Sequence, residues 1–122
     1  MDPQHESQSP EAKIATSAVQ LLHQYTGRGP TKAKTTIDEP VVTILLADTL
    51  TTGERTLVDH GHADRVLQVR SDYQTSMRDD LVGIVERELD REVIAFMSQN
   101  HIDPDLAVEV FVLKPAEARL RS

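Results

Sequence analysis

The feature that most constrains this fold is a long stretch in the middle of the chain that is compatible with one uninterrupted helix. Residues Ala63–Leu89 contain no proline and a single glycine, Gly83. Because both residues weaken helices, their scarcity over this length favours one helix rather than two. The stretch predicts a helix of about 27 residues, roughly 40 Å long. The apolar residues recur along it at helical spacing, at Val66, Val69, Tyr73, Met77, Leu81, Ile84 and Val85.

The segment before this helix predicts another helix followed by a hairpin. Ser9-Pro10-Glu11 is a typical helix start, and Gly27 stands where a left-handed C-terminal cap belongs. We therefore expect a helix from about Pro10 to Thr26. Thr31–Ile37 alternates lysine with threonine or alanine, as a half-exposed strand does, and the apolar run Val41–Ala47 predicts a more buried strand.

The remaining elements define the fold class. Thr51 and Glu54 have the spacing of a capping box, which predicts a short helix over Thr52–His60. After the long helix, Glu92–Ser98 and Leu106–Leu113 are typical of strands. The order α-β-β-α-α-β-β predicts an α+β two-layer sandwich, with a four-stranded, mainly antiparallel sheet and helices on one face. Several strand orders are compatible with this pattern.

Length and composition exclude several classes of protein. The 122 residues suit one domain, expected over 10–115, with a disordered polar lead over 1–9 and a short tail over 116–122. The absence of cysteine excludes disulfides, thiolate metal sites and cysteine nucleophiles. A net charge of −7 and an aromatic content of 3% argue against nucleic-acid binding. With no apolar run long enough to cross a membrane and no signal peptide, we expect a cytoplasmic protein without a cofactor.

Four separated motifs carry a resemblance to a known family. They are Gly27-Arg-Gly-Pro-Thr-Lys32, Leu50-Thr-Thr-Gly-Glu-Arg-Thr-Leu57, Val69-Arg-Ser-Asp-Tyr-Gln-Thr-Ser-Met77 and Val108-Glu-Val-Phe-Val-Leu113. Together, over about residues 11–115, the chain resembles the MpsC-like family, small proteins named as the C component of a sodium-translocating, membrane-potential-generating system. The resemblance implies a soluble partner or regulator of membrane subunits linked to sodium or inorganic-carbon uptake. One departure is Leu89-Asp90-Arg91, where relatives commonly carry a Thr-Gly-Arg-type turn, and Asp can adopt the left-handed conformation there.

A basic, glycine-containing loop is the leading candidate for ligand binding. Two glycines let the backbone approach a ligand closely, and nearby cations and a hydroxyl could meet an anion. The alternative is structural: Gly27 caps the first helix, and the basic side chains offset the negative end of its dipole. The candidate residues are Gly27, Arg28, Gly29, Thr31, Lys32 and Lys34.

Metal and catalytic signals are weaker. His60, His62 and Asp64 could supply metal ligands, but the His-x-His pair lacks a further ligand at a recognised metal-site spacing, so we expect no bound metal. The chain has no hydrolase, zinc-protease or nucleotide-binding motif, so we expect no enzyme. Glu54 and Arg70, with Arg78, are candidates for an ion-pair network that would shape structure more than chemistry.

The length of the central helix predicts a homodimer. Strands of seven or eight residues span only about 25 Å, so part of a 40 Å helix should extend beyond the sheet. The residues expected at the interface are Val66, Val69, Tyr73 and Met77. In the alternative, the short helix Thr52–His60 folds back and covers them.

Three functions are compatible with these features. The first is a non-catalytic cytoplasmic accessory or regulatory protein, a partner of a membrane subunit that transports sodium or bicarbonate. The second is a sensor of small anions or nucleotides that uses the Gly27–Lys34 loop. The third is an RNA-binding module, against which the negative charge and the few aromatic residues count.

Overall fold

The computed structural model describes residues 8–115. The expected tail over 116–122 lies outside this range, as does the expected lead apart from Gln8 and Ser9. In chain order the elements are α1 (Pro10–Thr26), β1 (Lys32–Asp38), β2 (Val41–Ala47), α2 (Thr52–Asp59), α3 (Ala63–Leu89), β3 (Val93–His101) and β4 (Leu106–Leu113). The predicted α+β class and element order are confirmed.

The ends of the helices follow from local capping chemistry. The Ser9 side chain accepts a hydrogen bond from the Ala12 amide, and Gly27 closes α1 in the left-handed region at φ 78°. At α2 the capping box is complete: the Glu54 amide donates to the Thr51 hydroxyl, and the Thr51 amide donates to the Glu54 carboxylate. α3 ends at Asp90, whose φ of 52° is the left-handed conformation expected of this Asp.

The four strands form one antiparallel sheet in the order β1-β2-β4-β3. Two hairpins, β1-β2 and β3-β4, therefore meet through the central pair of β2 and β4. The strand β3 is longer than predicted, because its pairing with β4 continues past Ser98 to the match of His101 with Leu106. Gln99, Asn100 and His101 therefore belong to the strand rather than to the turn.

The core lies between the sheet and the two longer helices, which pack on the same face. Every second residue of β2 and β4 faces the helices and is buried, since successive side chains of a strand point to opposite faces. The apolar core consists of Ile14, Ala18, Leu21, Leu22, Val42, Ile44, Leu46, Met77, Leu81, Ile84, Val85, Ala107, Phe111 and Leu113.

Candidate functional site

The predicted basic loop is tied to a neighbouring acidic residue. Arg28 Nε donates to the main-chain carbonyl oxygen of Asp48 at 3.1 Å, and the Thr31 hydroxyl donates to the Asp48 carboxylate. The Gly27 amide donates to the carbonyl of His23 and so closes α1. These contacts give Arg28 and Thr31 partners within the fold, and the Asp48 carboxylate occupies the hydroxyl proposed to meet an anion.

The two lysines of the candidate set lie elsewhere. Lys32 and Lys34 are exposed on β1, on the face of the sheet opposite the helices, while Gly29 lies beside Val19 and His23. The structure thus divides the six candidate residues into three pairs: Arg28 and Thr31 contact Asp48, Lys32 and Lys34 lie on the sheet, and Gly27 and Gly29 lie beside the end of α1. Anion binding by this loop stays a prediction.

The three weak metal candidates lie on the surface around the turn from α2 to α3. His60, His62 and Asp64 are all exposed, and His60 Nδ1 lies 2.8 Å from the carbonyl oxygen of Thr56. Over residues 8–115, no three histidine, aspartate or glutamate side chains are grouped so that they could hold a metal ion.

The interior holds a buried carboxylate that sequence analysis did not single out. Glu109, in the middle of β4, is only 2% exposed and points toward the helices. The Ser98 hydroxyl on β3 lies 2.7 and 2.6 Å from its two oxygens, and Gln74 on α3 also hydrogen-bonds to it. In the sequence, the only indication of this buried carboxylate is that Glu109 is the one acidic residue in an otherwise apolar strand. Such a residue indicates either an exposed position or a buried polar site.

The environment of Glu109 favours its neutral form. Burial raises the pKa of Glu109 from 4.5 to about 7, because a charged carboxylate loses its hydration in the interior. The hydrogen bonds from Ser98 and Gln74, and the positive charge of Arg70, lower the pKa and only partly offset that effect. Glu109 therefore changes charge near neutral pH.

A buried ion pair joins α3, the helix that carries Gln74, to α2. Arg70 and Glu54 are buried, and Arg70 Nη1 lies 3.5 Å from Glu54 Oε1. Arg70 Nε and Glu54 Oε2 have no hydrogen-bond partner among the described residues. Arg78, the third member of the predicted network, is exposed instead, and it lies eight residues, about 12 Å, further along α3 than Arg70. The predicted network thus reduces to one pair.

The spaces beside these groups are small or open. Glu109, Arg70, Gln74 and Asn100 line a cavity of about 10 Å³, which has room for about one water molecule. On the other side of Gln74, Arg78 and Ser98 border an open surface groove of about 250 Å³. Neither encloses a substrate-sized volume, which for small-molecule sites is roughly 300–1,000 Å³.

A second buried acid holds two loops together. Asp105, at the β3-β4 turn, accepts hydrogen bonds from the Thr49 amide, the Thr49 hydroxyl and the Leu50 amide, each at 3.0–3.1 Å. Arg55 on α2 pairs with the same carboxylate at 3.1 Å. The Asp48 amide also donates to the Asp105 main-chain carbonyl at 3.0 Å, so Asp105 holds the β2-α2 connection just before α2 starts.

The predicted helix interface is largely occupied within the protomer. Val66 and Met77 are buried, and Tyr73 packs against the core, so only Val69 of the four candidates is substantially exposed, at 43%. Tyr73 and Met77 border the small cavity beside Leu22 of α1 and Ala107 of β4. A dimer through this stripe, and the alternative in which α2 covers it, both stay predictions.

The helix-free face of the sheet is a different exposed surface, and we call it the open sheet face. Its central strands are mainly apolar, and Leu45, at 44%, and Met97, at 53%, are large apolar side chains exposed on it. β1 contributes its polar margin, with Lys32, Lys34 and Asp38. The apolar members from the other strands are Val41, Leu45, Ala47, Ala95, Met97, Leu106, Val108, Val110 and Val112.

The fold and these surfaces define a class of small two-layer α+β domain, with a buried titratable carboxylate and one apolar sheet face open to solvent. A family model described as "Na+-translocating membrane potential-generating system (MpsC)" matches residues 6–115, and the chain belongs to that family. No curated protein and no solved structure matches the chain. Within residues 8–115, the helices are too short or too polar to cross a membrane.

Proposed function

We propose that this chain is a non-catalytic accessory or regulatory component of a sodium-translocating, membrane-potential-generating system. The observation that carries the proposal is the family match, which spans residues 6–115 and therefore the whole described fold. The system named by the family acts at a membrane, so the chain would act through a membrane subunit as its protein partner. We also propose that it is a cytoplasmic homodimer.

The structural partners of the buried acidic residues support a non-catalytic role. Glu54 caps α2 and pairs with Arg70, and Asp105 joins the two loops at the ends of β2 and β3. Glu109 borders a cavity of about 10 Å³, which is too small for a substrate. Acid–base catalysis requires a carboxyl group that contacts a bound substrate, whereas these three carboxyl groups are hydrogen-bonded to other residues of the chain.

The proposal can be tested by measuring membrane potential in cells. A strain that expresses the membrane subunits of the system would be compared with and without this chain, using a voltage-sensitive dye. We expect the sodium-dependent part of the potential to fall without the chain and to return with the wild-type gene. Replacing sodium by choline is the control. An unchanged sodium-dependent potential without the chain would refute the proposal.

Cell fractionation tests the partner directly. We expect the chain to sediment with membranes only when the membrane subunits are expressed, because the attachment is through protein. Sedimentation in their absence would instead indicate direct lipid binding, which the net charge of −7 disfavours at an anionic membrane.

A sensor of small anions or nucleotides is the second candidate. The observation in its favour is that Lys32 and Lys34 are exposed on one face of β1, and neither forms an ion pair with a described residue. The contacts of Arg28 and Thr31 with Asp48 count against it. A thermal-shift screen with phosphate, bicarbonate, nucleotides and RNA distinguishes this function, and the less favoured RNA-binding one, from the first, because a bound ligand raises stability by mass action.

A further inference from the structure

We propose that the open sheet face is the surface on which two copies of this chain meet, sheet against sheet. The two copies would be related by a twofold axis that runs across the strands. This inference concerns assembly and does not depend on the proposed transport role. Three observations carry it: the composition of β4, the charges of β1 and the area of the face.

The composition of β4 departs from that expected for a sheet with one solvent-exposed face, because its outer side is wholly apolar. In such a sheet, polar side chains face solvent and apolar side chains face the core. In β4 the acidic Glu109 faces the helices, and the opposite side presents only apolar residues. These are Leu106, Val108, Val110 and Val112. The outer side of β4 thus has the composition of a buried surface.

The apolar surface continues across the neighbouring strands. Val110 lies beside Thr43 of β2 and Met97 of β3, and Val108 lies beside Leu45 and Gln99. A contiguous apolar patch of this kind is rare on a monomer and commonly marks an interface. The two middle rows of the sheet would form the centre of that interface.

The charges of β1 select a second copy as the occupant. Residues paired across the four strands form rows that run at right angles to the strands. Lys32 lies in the row at one end of β1, and Asp38 lies six residues further along, in the row at the other end and on the same exposed side. A twofold axis across the strands exchanges the first and last rows, so Lys32 would lie opposite Asp38 of the partner subunit. The same operation occurs twice in the dimer, which gives two complementary contacts at its margin.

The other simple twofold arrangement lacks this complementarity. An axis parallel to the strands would place β1 opposite β3 of the partner subunit, so that Lys32 and Lys34 would face His101 and Gln99 of the partner subunit. No acidic side chain would meet the two lysines there. The charge pattern therefore favours the axis across the strands.

The area of the face is sufficient for a modest dimer. Four strands about 4.8 Å apart, each about seven residues of 3.4 Å, give a flat footprint of roughly 450 Å². Two copies would bury roughly 900 Å² before the long side chains at the margin are added, close to the 1,000 Å² expected of a specific interface. We expect a dissociation constant on the order of micromolar, so the fraction of dimer should fall as the protein is diluted below that concentration.

The oligomeric state of the full chain tests the interface. Sedimentation equilibrium at tens of micromolar should give twice the protomer mass of 13.6 kDa for the wild type. Val110→Glu and Leu45→Glu should each give a monomer, because a carboxylate would be buried in the apolar centre. Val69→Glu, on the exposed surface of α3, is the matched control and should stay dimeric. Circular dichroism checks that each variant is folded.

Charge reversal tests the orientation. Lys32→Asp alone and Asp38→Lys alone should each weaken the dimer about tenfold, and the double variant should restore it. The two residues stand at opposite ends of β1, so rescue cannot arise within one copy. Absence of rescue would overturn the proposed axis.

Three outcomes would overturn the interface itself. They are a monomeric wild type at these concentrations, a dimer that survives Val110→Glu and Leu45→Glu, and a dimer that only Val69→Glu disrupts. In the first case the face would be covered by a different protein or by residues of this chain outside 8–115. A monomeric wild type would also refute the proposed homodimer, but none of these outcomes alters the membrane-potential test, so the transport role and the interface fail separately.

Discussion

The Ser98 hydroxyl lies within 2.7 Å of both carboxylate oxygens of Glu109, on neighbouring strands of the sheet. A hydroxyl has one proton and can donate to only one oxygen fully at a time. When Glu109 is protonated, its own O–H can donate to the serine oxygen, and both short contacts become hydrogen bonds. The geometry therefore agrees with the raised pKa of Glu109.

The first prediction concerns the dependence of stability on pH. The pKa of Glu109 is about 7 in the folded protein, against 4.5 as its ordinary value. The folded state therefore holds a proton that the unfolded state has lost, and its contribution to stability is full below pH 4.5. It is lost as the pH rises through 7, at a cost of about 3 kcal/mol.

Glu109→Gln isolates this effect because glutamine resembles the protonated acid. Urea unfolding between pH 4.5 and 8 should show that the wild type loses stability relative to the variant as the pH rises. Parallel curves for the two proteins would show that Glu109 titrates normally.

The second prediction concerns the partner of Glu54. Arg70→Met should destabilise the protein by about 3 kcal/mol, because it leaves the buried Glu54 carboxylate without its cation. It should also raise the pKa of Glu109 further, since Arg70 lowers it in the wild type. Arg78→Met, on the exposed side of the same helix, is the control and should change stability by less than about 0.5 kcal/mol. Equal effects of the two substitutions would contradict the buried pair.

The third prediction tests the start of α2. Thr51→Ala removes the acceptor of the Glu54 amide hydrogen bond and should cost about 1 kcal/mol in urea unfolding. Thr56→Ala, one turn further along the helix, removes a hydroxyl bonded only to a main-chain carbonyl and should cost less. Wild-type stability of the Thr51→Ala protein would remove the energetic role of the capping box.

The fourth prediction concerns the basic loop. If the protein binds a small anion there, replacing Arg28 and Lys32 together by glutamine should abolish the thermal shift given by that anion. The fold should remain intact by circular dichroism. Lys13→Gln, an exposed change on α1, is the charge-matched control for a single lysine. A ligand-induced shift of wild-type size in the double variant would exclude this loop as the site.

Strong periodic patterns made the elements predictable. The bounds of α1, β2, α3 and β4 agree with those expected, because each has clear apolar periodicity or capping signals. The end of β3 was predicted too early because its last residues, Gln99–His101, are polar. Their place in the strand is set by pairing with β4, which local propensity does not encode.

The site residues were harder to predict, for a physical reason. Both sides of β4 are apolar apart from Glu109, so the sequence of this strand does not show which side packs against the helices. Only the packed structure shows that Glu109 faces inward and that Val108 and Val110 face outward. The length of α3 led to the prediction of an interface at Val66 and Met77, but both are buried within the protomer by tertiary packing that the apolar pattern did not reveal.

The strand order has a consequence for how the chain folds. Each hairpin joins neighbours in sequence, whereas the central pair of β2 and β4 matches Val41 with Val112, about two thirds of the described chain apart. The entropy of closing so long a loop is lost before the pairing contributes any stability. The two halves can therefore form local structure early, while the sheet and the buried Glu109 site are completed only when the halves join. Substitutions at the β2-β4 seam should slow folding more than those within either hairpin.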